Sequence, residues 1–478
     1  MATAIQASHI IAYDGAQHRH LQNGVVVYEG NTITHVGQTY DGPIDETIDA
    51  TGKVVTPGFI NTHAHLAGSP LDKSFIEDRG NPQFYMSGLF EFLPARSGAM
   101  TSDDARACVD FSLVELLRSG TTTILEMGGQ SDYVAAQAGH LGLRAYVGPM
   151  YRSGRWYIPD GKRVVYEWDE AAGREGLRRA VECIERNQGS YNDRIRGFLS
   201  PSQVDTCAAG LLQETQRLAE QLDVPVQIHV SQSVNEFQEM LQRHGSTPIA
   251  WLRDLGVLSP RVLLGHAMII GGSSWTNYPP GDVSIIAEHG CSVAHAPWVF
   301  ARRGIAMESF QRYLDAGITM TLGTDTCPQN MMQAMRWAAV ICKIMDRNTE
   351  VATARDVFNT ATLGGATALG RDDLGRLAPG AKADLLMFDG ETLNMAPLRD
   401  PVKNLVYYAE MEDLHTVIID GRTVVEHGRV LAADQLEVAR RLQQAGEQMW
   451  PRMAQHDWDG RDVDQLSPLT FPRWTGSA

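Results

Sequence analysis

Hydrophobic and polar positions alternate in two different ways along the chain, and the change between them divides it. Residues 1–57 and 383–430 carry short apolar runs separated by Gly, Asn and Asp, as in "GVVVYEGNTITHVGQ" and "HTVIIDGRTVVEHG". Such alternation between turn residues is typical of β-hairpins. We therefore expect both chain ends to contribute strands to one small β-sandwich, with a separate domain between them.

The middle of the chain repeats an apolar strand followed by an amphipathic helix. In residues 101–119, Thr and Asp residues suited to a helix N-terminus precede an apolar stripe at helical spacing. Strand candidates recur after it, among them "TTTILEM", "PVQIHVSQ", "RVLLGHAMI", "CSVAHAP" and "TMTLGTD". Repeated strand–helix alternation predicts an α/β fold with a parallel sheet, and eight such units close a (β/α)₈ TIM barrel.

The two patterns predict the domain boundaries. We expect residues 1–57 together with 376–430 to form the β-sandwich, and residues 58–375 to form the barrel that carries the catalytic site. Residues 431–478 begin as an amphipathic helix and end in a tail that contains Pro and Trp. This last segment is expected to pack on the sandwich or on a neighbouring subunit.

Composition and charge narrow the class of protein. The 478 residues are 43% hydrophobic and 21% charged, which is ordinary for a globular enzyme. The formal net charge of −16, without a Lys/Arg cluster, argues against a nucleic-acid partner. No apolar window is long enough for a membrane span, and "MATAIQASHIIAYDG" lacks the features of a secretory signal. We expect a cytoplasmic protein whose six cysteines are reduced.

Candidate chemistry collects where the predicted strands end. The stretch "FINTHAHLAGS" places His63 and His65 two positions apart, so both imidazoles leave a strand on the same face. Later strand candidates end in further polar residues, which are His229, His266, His295 and Asp325. Since the active site of a parallel barrel lies at the carboxyl ends of its strands, these side chains would converge on a site for a borderline divalent ion such as Zn²⁺.

The same stretches resemble the amidohydrolase superfamily, in its chlorohydrolase and cytosine-deaminase-like branch. The resemblance covers residues 1–430 and rests on "PGFINTHAHL", "SGTTTI", "IHVSQSVNE", "LLGHA", "SVAHAP", "LGTD" and "LGRLAPGAKADLLMFDG". It implies a distorted (β/α)₈ barrel flanked by a β-sandwich made from both chain ends. It also implies a homo-oligomer that holds one divalent metal ion. Zinc is the default ion, while cobalt, manganese and iron(II) can use the same ligands.

Carried over residue by residue, the resemblance assigns roles to the strand-end residues. The implied metal ligands are His63, His65, His229 and Asp325. His266 would accept a proton from the water that the ion activates, and Asp325 would also take one. His295 would support the ligands from behind, with a purely structural role as the alternative.

Three positions depart from the pattern of the family. Gln232 stands where relatives commonly carry a glutamate that protonates a heterocycle during deamination, and an amide can orient a substrate but cannot act as an acid. Ser202 stands where relatives carry a histidine, and "HAPWVFAR" replaces a polar Ser-Asn pair with bulky residues. No lysine ends "IRGFLSPSQ" to form a carbamylated bridge, which favours one metal over two. These departures argue against a nucleoside, cytosine or guanine deaminase.

The expected substrate follows from the aromatic residues of the predicted loops, since loops above a barrel carry binding residues. The candidate pocket residues are Phe84, Tyr85, Phe90, Trp156, Tyr157 and Trp298. They favour a small, uncharged, hydrophobic carbonyl compound. The collection resembles the herbicide-degrading amidohydrolases that act on phenylureas and on the thiocarbamate molinate.

We therefore expect hydrolysis of an N,N-disubstituted phenylurea to an aniline. Cleavage of a thiocarbamate with release of an alkanethiol is the first alternative. A triazine-type dechlorinase or deaminase and a catalytically inactive amidohydrolase-like scaffold are the further alternatives. The scaffold is disfavoured because loss of function usually removes metal ligands first, and all four are present here.

Overall fold

The computed structural model describes residues 1–474, which contain nineteen strands and seventeen α-helices. The strands are β1 (Ala2–Tyr13), β2 (His18–Glu29), β3 (Thr32–Gly37), β4 (Glu46–Pro57), β5 (Phe59–Ala64), β6 (Thr121–Gly128), β7 (Arg144–Tyr151), β8 (Gly154–Tyr157), β9 (Val165–Trp168), β10 (Ile195–Gly197), β11 (Ser200–Pro201), β12 (Val226–Val230), β13 (Val262–His266), β14 (Ser292–His295), β15 (Met320–Leu322), β16 (Leu385–Asp389), β17 (Leu414–Ile419), β18 (Arg422–Glu426) and β19 (Arg429–Val430).

The helices connect and cover these strands. They are α1 (Phe92–Ala99), α2 (Ser102–Arg118), α3 (Ser131–Leu141), α4 (Glu170–Asn187), α5 (Ser190–Asp193), α6 (Ala209–Leu222), α7 (Val234–His244), α8 (Pro248–Asp254), α9 (Asp282–Glu288), α10 (Pro297–Ala301), α11 (Phe310–Asp315), α12 (Met331–Asp346), α13 (Ala354–Asn359), α14 (Gly365–Ala368), α15 (Pro401–Tyr407), α16 (Gln435–Met449) and α17 (Val463–Leu466).

Both chain ends build one eight-stranded sheet, in the order β19-β18-β17-β16-β4-β1-β2-β3. Strand β4 joins its halves, because it pairs in parallel with β1 and antiparallel with β16. Successive side chains of a strand face opposite sides. Accordingly Leu385 and Met387 of β16 belong to the sheet's own apolar cluster, whereas Leu386 and Phe388 enter the large core shared with the barrel.

A closed barrel of parallel strands occupies the middle of the chain. Strands β5, β6, β7 and β10 form one parallel sheet and β12 to β15 form a second. Parallel bridges from Leu199 to Val226 and from Ala64 to Asp325 join the two sheets at both edges. The predicted (β/α)₈ barrel is therefore confirmed, and the strands from both chain ends, expected to form a small β-sandwich, form the eight-stranded sheet beside it.

The C-terminal segment packs on the barrel beside α1 and α2. An apolar cluster joins Phe92 and Ala95 of α1 to Leu442 and Met449 of α16. Ion pairs reinforce the contact, including Arg441 to Asp110 at 2.8 Å, Arg452 to Asp104 at 2.6 Å and Arg461 to Glu91 at 2.6 Å. Residues distant in sequence thus hold α1 against the barrel.

The state of the cysteines and the polarity of the helices can be compared with what the composition predicted. All six cysteines are free and buried. In the part of the chain that the structure describes, every helix is too short or too polar to cross a bilayer. Burial raises the pKa of the Cys207 thiol to about 12, so this thiol stays protonated at neutral pH.

A buried ion network ties the sheet to the barrel. The Arg144 guanidinium, at the start of β7, lies 3.2 Å from Asp384 and 3.4 Å from Asp420. Arg194 also contacts Asp420, at 3.4 Å. All four side chains are at most 5% exposed, so each charge depends on the others for compensation.

We predict that Arg144→Met destabilises the protein by roughly 3–5 kcal/mol, because it leaves Asp384 without its cationic partner in the interior. Urea unfolding followed by circular dichroism measures the change. The control is Arg178→Met on the exposed face of α4, where loss of the pairs to Glu175 and Glu182 should cost less than about 1 kcal/mol. Equal losses in the two variants would contradict the structural role of Arg144.

Candidate active site

The hydrogen bonds that close the barrel also position two histidines and an aspartate. The Asp325 backbone N–H donates to the His63 carbonyl at 2.8 Å, and the His65 N–H donates to the Asp325 carbonyl at 2.8 Å. Asp325 has a φ of 61°, in the left-handed region that few residues other than glycine adopt. Gly323 is required beside it, since a Cβ there would lie 2.5 Å from the His63 Cβ.

The potential ligand atoms of these residues and of His229 lie close together. The Nε2 atoms of His65 and His229 are 3.1 Å apart. Asp325 Oδ2 is 3.6 Å from His63 Nε2, and Asp325 Oδ1 is 3.9 Å from His65 Nε2. Two donors that bind the same tetrahedral zinc at about 2.1 Å are about 3.4 Å apart. Within the described residues, potential ligand atoms of His63, His65 and Asp325 lie within 4.8 Å of one another, and His65 brings His229 next to them, so this cluster can hold one small cation.

Backbone carbonyls fix the orientation of two of the histidines. His65 Nδ1 donates to the Met127 carbonyl at 2.6 Å, and His229 Nδ1 donates to the Ser202 carbonyl at 2.6 Å. A nitrogen facing a carbonyl must carry the proton, so Nε2 of each ring keeps its lone pair. Ser202 thus acts on the site through its main chain, while its hydroxyl donates to Gln203 at 3.0 Å.

Electrostatics and hydrogen bonding also favour a cation among these side chains. Both ring nitrogens of His63 are buried without a hydrogen-bond partner among the described residues. Burial, followed by the neighbouring His63 and His65, holds the pKa of His229 well below its usual range. Burial likewise lowers the pKa of His65. His65 and His229 therefore offer neutral nitrogens, and together with His63 and one carboxylate they suit a single divalent ion, zinc being the best match.

His266, at the end of β13, adjoins the same cluster, with a ring nitrogen within 4.8 Å of ring nitrogens of His63 and His229. Its Nε2 is 3.3 Å from Asp325 Oδ2, and its Nδ1 is buried without a partner among residues 1–474. Burial and then His63 hold the pKa of His266 well below its usual range, so the ring is neutral at physiological pH. The edge of Phe300 packs against it, with the ring centroids 4.7 Å apart. A neutral imidazole in this place can accept a proton.

Asp325 is ionised in spite of its burial. Burial opposes its charge, but the nearby imidazoles, first of all that of His63 at 3.6 Å, hold the pKa of Asp325 well below its usual range. The carboxylate can therefore serve as an anionic ligand at neutral pH.

His295 lies outside the ligand cluster. It ends β14, is 6% exposed, and packs near Phe310 with a centroid separation of 5.5 Å. Burial lowers its pKa to about 4. Its surroundings favour the structural role over contact with substrate.

Gln232 enters the site from the loop after β12. Its side chain is 4% exposed, and its Nε2 is buried without a partner among the described residues. The loop is fixed by Glu236, whose Oε2 accepts the Gln232 backbone N–H at 3.1 Å. Because a buried amide N–H without a partner costs free energy, this group points to a ligand that completes the hydrogen bond.

A cavity of about 640 Å³ opens above the strand ends and includes His65, His229, Gln232 and Asp325 in its wall. Three of the aromatic residues singled out from the sequence contribute to the same wall, namely Phe84, Tyr85 and Trp156. Trp156 is held in place because its indole N–H donates to Asp205 at 2.7 Å. The metal cluster and a substrate-sized space are therefore continuous.

The other three aromatic candidates lie outside the wall. Phe90 packs behind it, with ring centroids 5.8 Å from Phe84 and 5.1 Å from Trp156. Tyr157 is 41% exposed on β8. Trp298 packs on Trp337 of α12, at a centroid distance of 5.3 Å. Successive side chains of a strand point to opposite sides, and those of a helix point in different directions. A residue next to one that lines the cavity can therefore lie outside the wall.

The sequence analysis missed the charged part of the wall. Five arginines and one buried aspartate line the cavity, which are Arg96, Arg152, Arg155, Arg302, Arg303 and Asp72. The only local signal was the adjacent pair in "WVFARRG", directly after the strand-end His295. The other arginines come from separate loops and helices that only the fold brings together.

A closed parallel barrel with three histidines and an aspartate at its carboxyl end defines a metal-dependent hydrolase. The family comparison agrees with this class, because residues 54–424 match the model of the amidohydrolase family. The chain belongs to the amidohydrolase family, as its motifs predicted, and is a metal-dependent hydrolase of C–N bonds.

Curated relatives resemble most of the chain. A 5'-deoxyadenosine deaminase of Methanothermobacter thermautotrophicus is 32% identical over 415 residues, which cover 86% of this chain and 91% of the relative. A 5-methylthioadenosine/S-adenosylhomocysteine deaminase of Thermococcus kodakarensis is 31% identical over 404 residues, covering 84% of this chain and 89% of the relative. Each relative therefore matches more than four-fifths of this chain.

Solved structures share the fold. An adenosine deaminase from Xanthomonas campestris with bound zinc superimposes with a TM-score of 0.81 at 23% identity, covering 94% of this chain and 98% of that one. An atrazine chlorohydrolase from Arthrobacter aurescens in complex with zinc gives a TM-score of 0.80 at 23% identity, covering 93% and 100%.

The expected phenylurea hydrolysis is wrong, and so is its thiocarbamate alternative. The curated relatives described above are deaminases of adenine compounds, and none of their names refers to a urea or a thiocarbamate. The physical reasons lie in the cavity. Its wall carries five arginines in addition to aromatic residues, and Gln232 offers a hydrogen-bond donor in the place of an acid.

We predict that Asp325→Asn and His63→Ala each weaken zinc binding by more than about 100-fold. Loss of an outer partner of a metal ligand already costs about 10–100-fold, and these changes alter a donor itself. Metal content per chain, measured by mass spectrometry after dialysis against a chelator, checks the effect. His140→Ala on the exposed face of α3 is the control and should keep wild-type metal content. Full metal retention by Asp325→Asn would contradict the proposed ligand set.

We also predict that metal-free protein loses stability as the pH falls, in part because of His295. An unfolded histidine titrates near pH 6.5, whereas the folded group does so at about 4. Between these values the unfolded chain binds the extra proton, so this residue lowers the free energy of unfolding by about 3 kcal/mol as the pH falls. Urea unfolding of wild type and His295→Asn at several pH values measures it. The variant should show a flatter pH dependence, and parallel curves would contradict the assignment.

Proposed function

We propose that this protein is a zinc-dependent deaminase that hydrolyses the exocyclic amine of an adenine nucleoside. The observation that carries the proposal is the identity of about 31–32% over more than four-fifths of the chain to deaminases of adenine compounds. The cavity volume of about 640 Å³ supports it, since small-molecule sites span roughly 300–1,000 Å³.

The cavity offers both apolar and polar recognition of a purine. Phe84 and Trp156 give a planar ring an aromatic wall. The unpartnered Nε2 of Gln232 can donate a hydrogen bond to a ring nitrogen, which is an acceptor in adenine. Gln232 would thereby orient the ring with its C6 amine towards Asp325 and His266.

The side chains around Asp325 can manage the protons of the reaction. A bound zinc ion supplies water of lowered pKa and electrostatic stabilisation of developing negative charge. Asp325 Oδ2 and neutral His266 Nε2, 3.3 Å apart, would take up the proton of the attacking water and pass it on. In the balanced reaction the water oxygen bonds to C6, the C6–N bond breaks, and the proton leaves with ammonia.

Gln232 changes how the ring nitrogen is assisted. A neutral amide polarises the ring through a hydrogen bond but keeps its own proton. The proton carried by Asp325 and His266 must therefore serve the departing amine. The absence of an acid at position 232 is therefore compatible with deamination.

The proposal is tested by offering 5'-deoxyadenosine, methylthioadenosine and adenosine to zinc-loaded protein. Ammonia release and mass spectrometry of the purine product, in water labelled with heavy oxygen, identify hydrolytic deamination. Metal-stripped protein and Asp325→Asn are the negative controls. If protein with one zinc per chain releases no ammonia from any of these nucleosides, the proposal fails.

We predict that Gln232→Met lowers kcat/KM for the preferred nucleoside by about 10–100-fold, because one hydrogen bond to the ring is lost at nearly constant volume. Gln221→Met on the exposed surface of α6 is the control and should retain wild-type kinetics. Steady-state kinetics measure kcat/KM, with the zinc content verified for each protein. Unchanged kinetics in Gln232→Met would exclude contact between this amide and the substrate.

A further inference from the structure

One buried carboxylate behind the cavity wall binds two aromatic side chains at once. Asp205 lies in the turn Val204–Thr206, which follows β11, and is 0% exposed. Its Oδ2 accepts the indole N–H of Trp156 at 2.7 Å and the hydroxyl of Tyr166 at 2.7 Å. Because Trp156 lines the cavity, Asp205 can act on the substrate space through this ring.

Both donors belong to the hairpin of β8 and β9. Trp156 and Tyr166 stand directly opposite one another in its register, one on each strand, so their side chains share a face. Among the described residues, β8 and β9 form a separate two-stranded sheet, and such a hairpin is only marginally stable by itself. One carboxylate oxygen therefore anchors both strands of the hairpin.

Arg243, near the end of α7, supports the same contact. Its guanidinium lies over the rings of Tyr166 and Trp168, 4.7 and 4.8 Å from their centroids, and its Nη1 donates to the Asp205 carbonyl at 2.8 Å. Burial and then Asp205 raise the pKa of Tyr166 far above its usual range. The Tyr166 hydroxyl therefore keeps the proton that it donates to Asp205.

Helix α7 also holds the loop that carries Gln232. Glu236, in the first turn of this helix, accepts the Gln232 backbone N–H at 3.1 Å. Arg243, in its last turn, lies over the hairpin rings. Two parts of the cavity wall that the proposed function uses, Trp156 and Gln232, are therefore fastened to one helix.

We propose that Asp205 is a positioning residue for the substrate base, because it holds the indole of Trp156 in the cavity wall and fixes the β8–β9 hairpin on the barrel. For a purine base, the inference rests on the proposed deaminase function. An indole whose N–H is already bound cannot turn away without losing that hydrogen bond, so the base meets a preformed wall. Loss of the anchor weakens binding more than chemistry, since Asp325 and His266 are untouched.

The experiment measures kcat and KM for 5'-deoxyadenosine, methylthioadenosine and adenosine on zinc-loaded wild type, Asp205→Leu and Asp205→Asn. Leucine has no acceptor, whereas asparagine keeps a carbonyl oxygen with two lone pairs. We expect Asp205→Leu to raise KM by about 5–100-fold with little change in kcat, the range expected for loss of one base–aromatic stack. Asp205→Asn should lie close to wild type. Asp254→Leu, at the exposed end of α8, is the matched control and should keep wild-type kinetics.

A double-mutant cycle shows whether Asp205 acts through Trp156. Trp156→Ala removes the ring, so adding Asp205→Leu in this background should change KM by less than about twofold. The inference fails if the two KM effects multiply, or if Asp205→Leu lowers kcat and zinc content together with raising KM, as a merely structural residue would. It also fails if Asp205→Leu leaves KM unchanged, or if Asp205→Asn is as impaired as Asp205→Leu.

Amide hydrogen exchange separates this inference from the proposed deaminase activity, because it needs no substrate. We expect exchange in β8 and β9 to be at least about tenfold faster in Asp205→Leu, with β5 and β12 protected as in wild type and with Asp205→Asn restoring protection. Tyr166→Phe removes one of the two donors, so it tests the same anchor with a milder change and should give a smaller increase in exchange.

The two measurements give distinguishable failures. If no nucleoside is turned over but exchange in the hairpin follows this pattern, the deaminase proposal fails and the anchoring of Trp156 by Asp205 stands. If nucleosides are deaminated and the hairpin exchanges equally in wild type, Asp205→Leu and Tyr166→Phe, only the anchor fails.

Discussion

The pairing of β5 with Asp325 is the constraint on which the site depends. Two backbone hydrogen bonds of 2.8 Å close the barrel and fix the main chains of His63, His65 and Asp325 relative to one another. The bulk of the domain therefore holds these donors, and no flexible loop has to bring them together. Strand-borne residues are positioned more accurately than loop residues, which suits a metal centre whose donors tolerate little displacement.

Much of the fold was predictable, because the spacing of hydrophobic residues and the polar residues at the ends of strands are visible within short stretches of sequence. A barrel was predicted from the alternation of strands and helices in the middle of the chain. A β-rich unit was predicted from the hairpin patterns at both ends. The shared pattern of the two chain ends indicated that they would pair, but not that β4 and β16 would be the strands that join them. The packing of α16 on α1 and α2 was not predictable, since an amphipathic helix does not reveal which surface it covers.

The metal cluster was easier to anticipate than the substrate. The carboxyl ends of parallel strands lie at one end of a closed barrel, so residues at these positions tend to meet there, although His295 lies outside the cluster. The cavity wall instead combines residues from several loops. No pattern in the sequence indicated that Arg303 lines the cavity or that Trp298 packs on Trp337. Burial was decisive for Gln232 too. Its amide is an exposed surface group in most proteins but an unsatisfied donor here.

The two faces of helix α1 make different contacts. Arg96 and Ser97 line the cavity, while Phe92 and Ala95 pack against the C-terminal segment. The family match ends at residue 424, before that segment begins. The C-terminal segment therefore touches the substrate space only indirectly, through the helix on which it packs. Substitutions in that segment can shift α1, and with it Arg96 and Ser97, without altering any metal ligand.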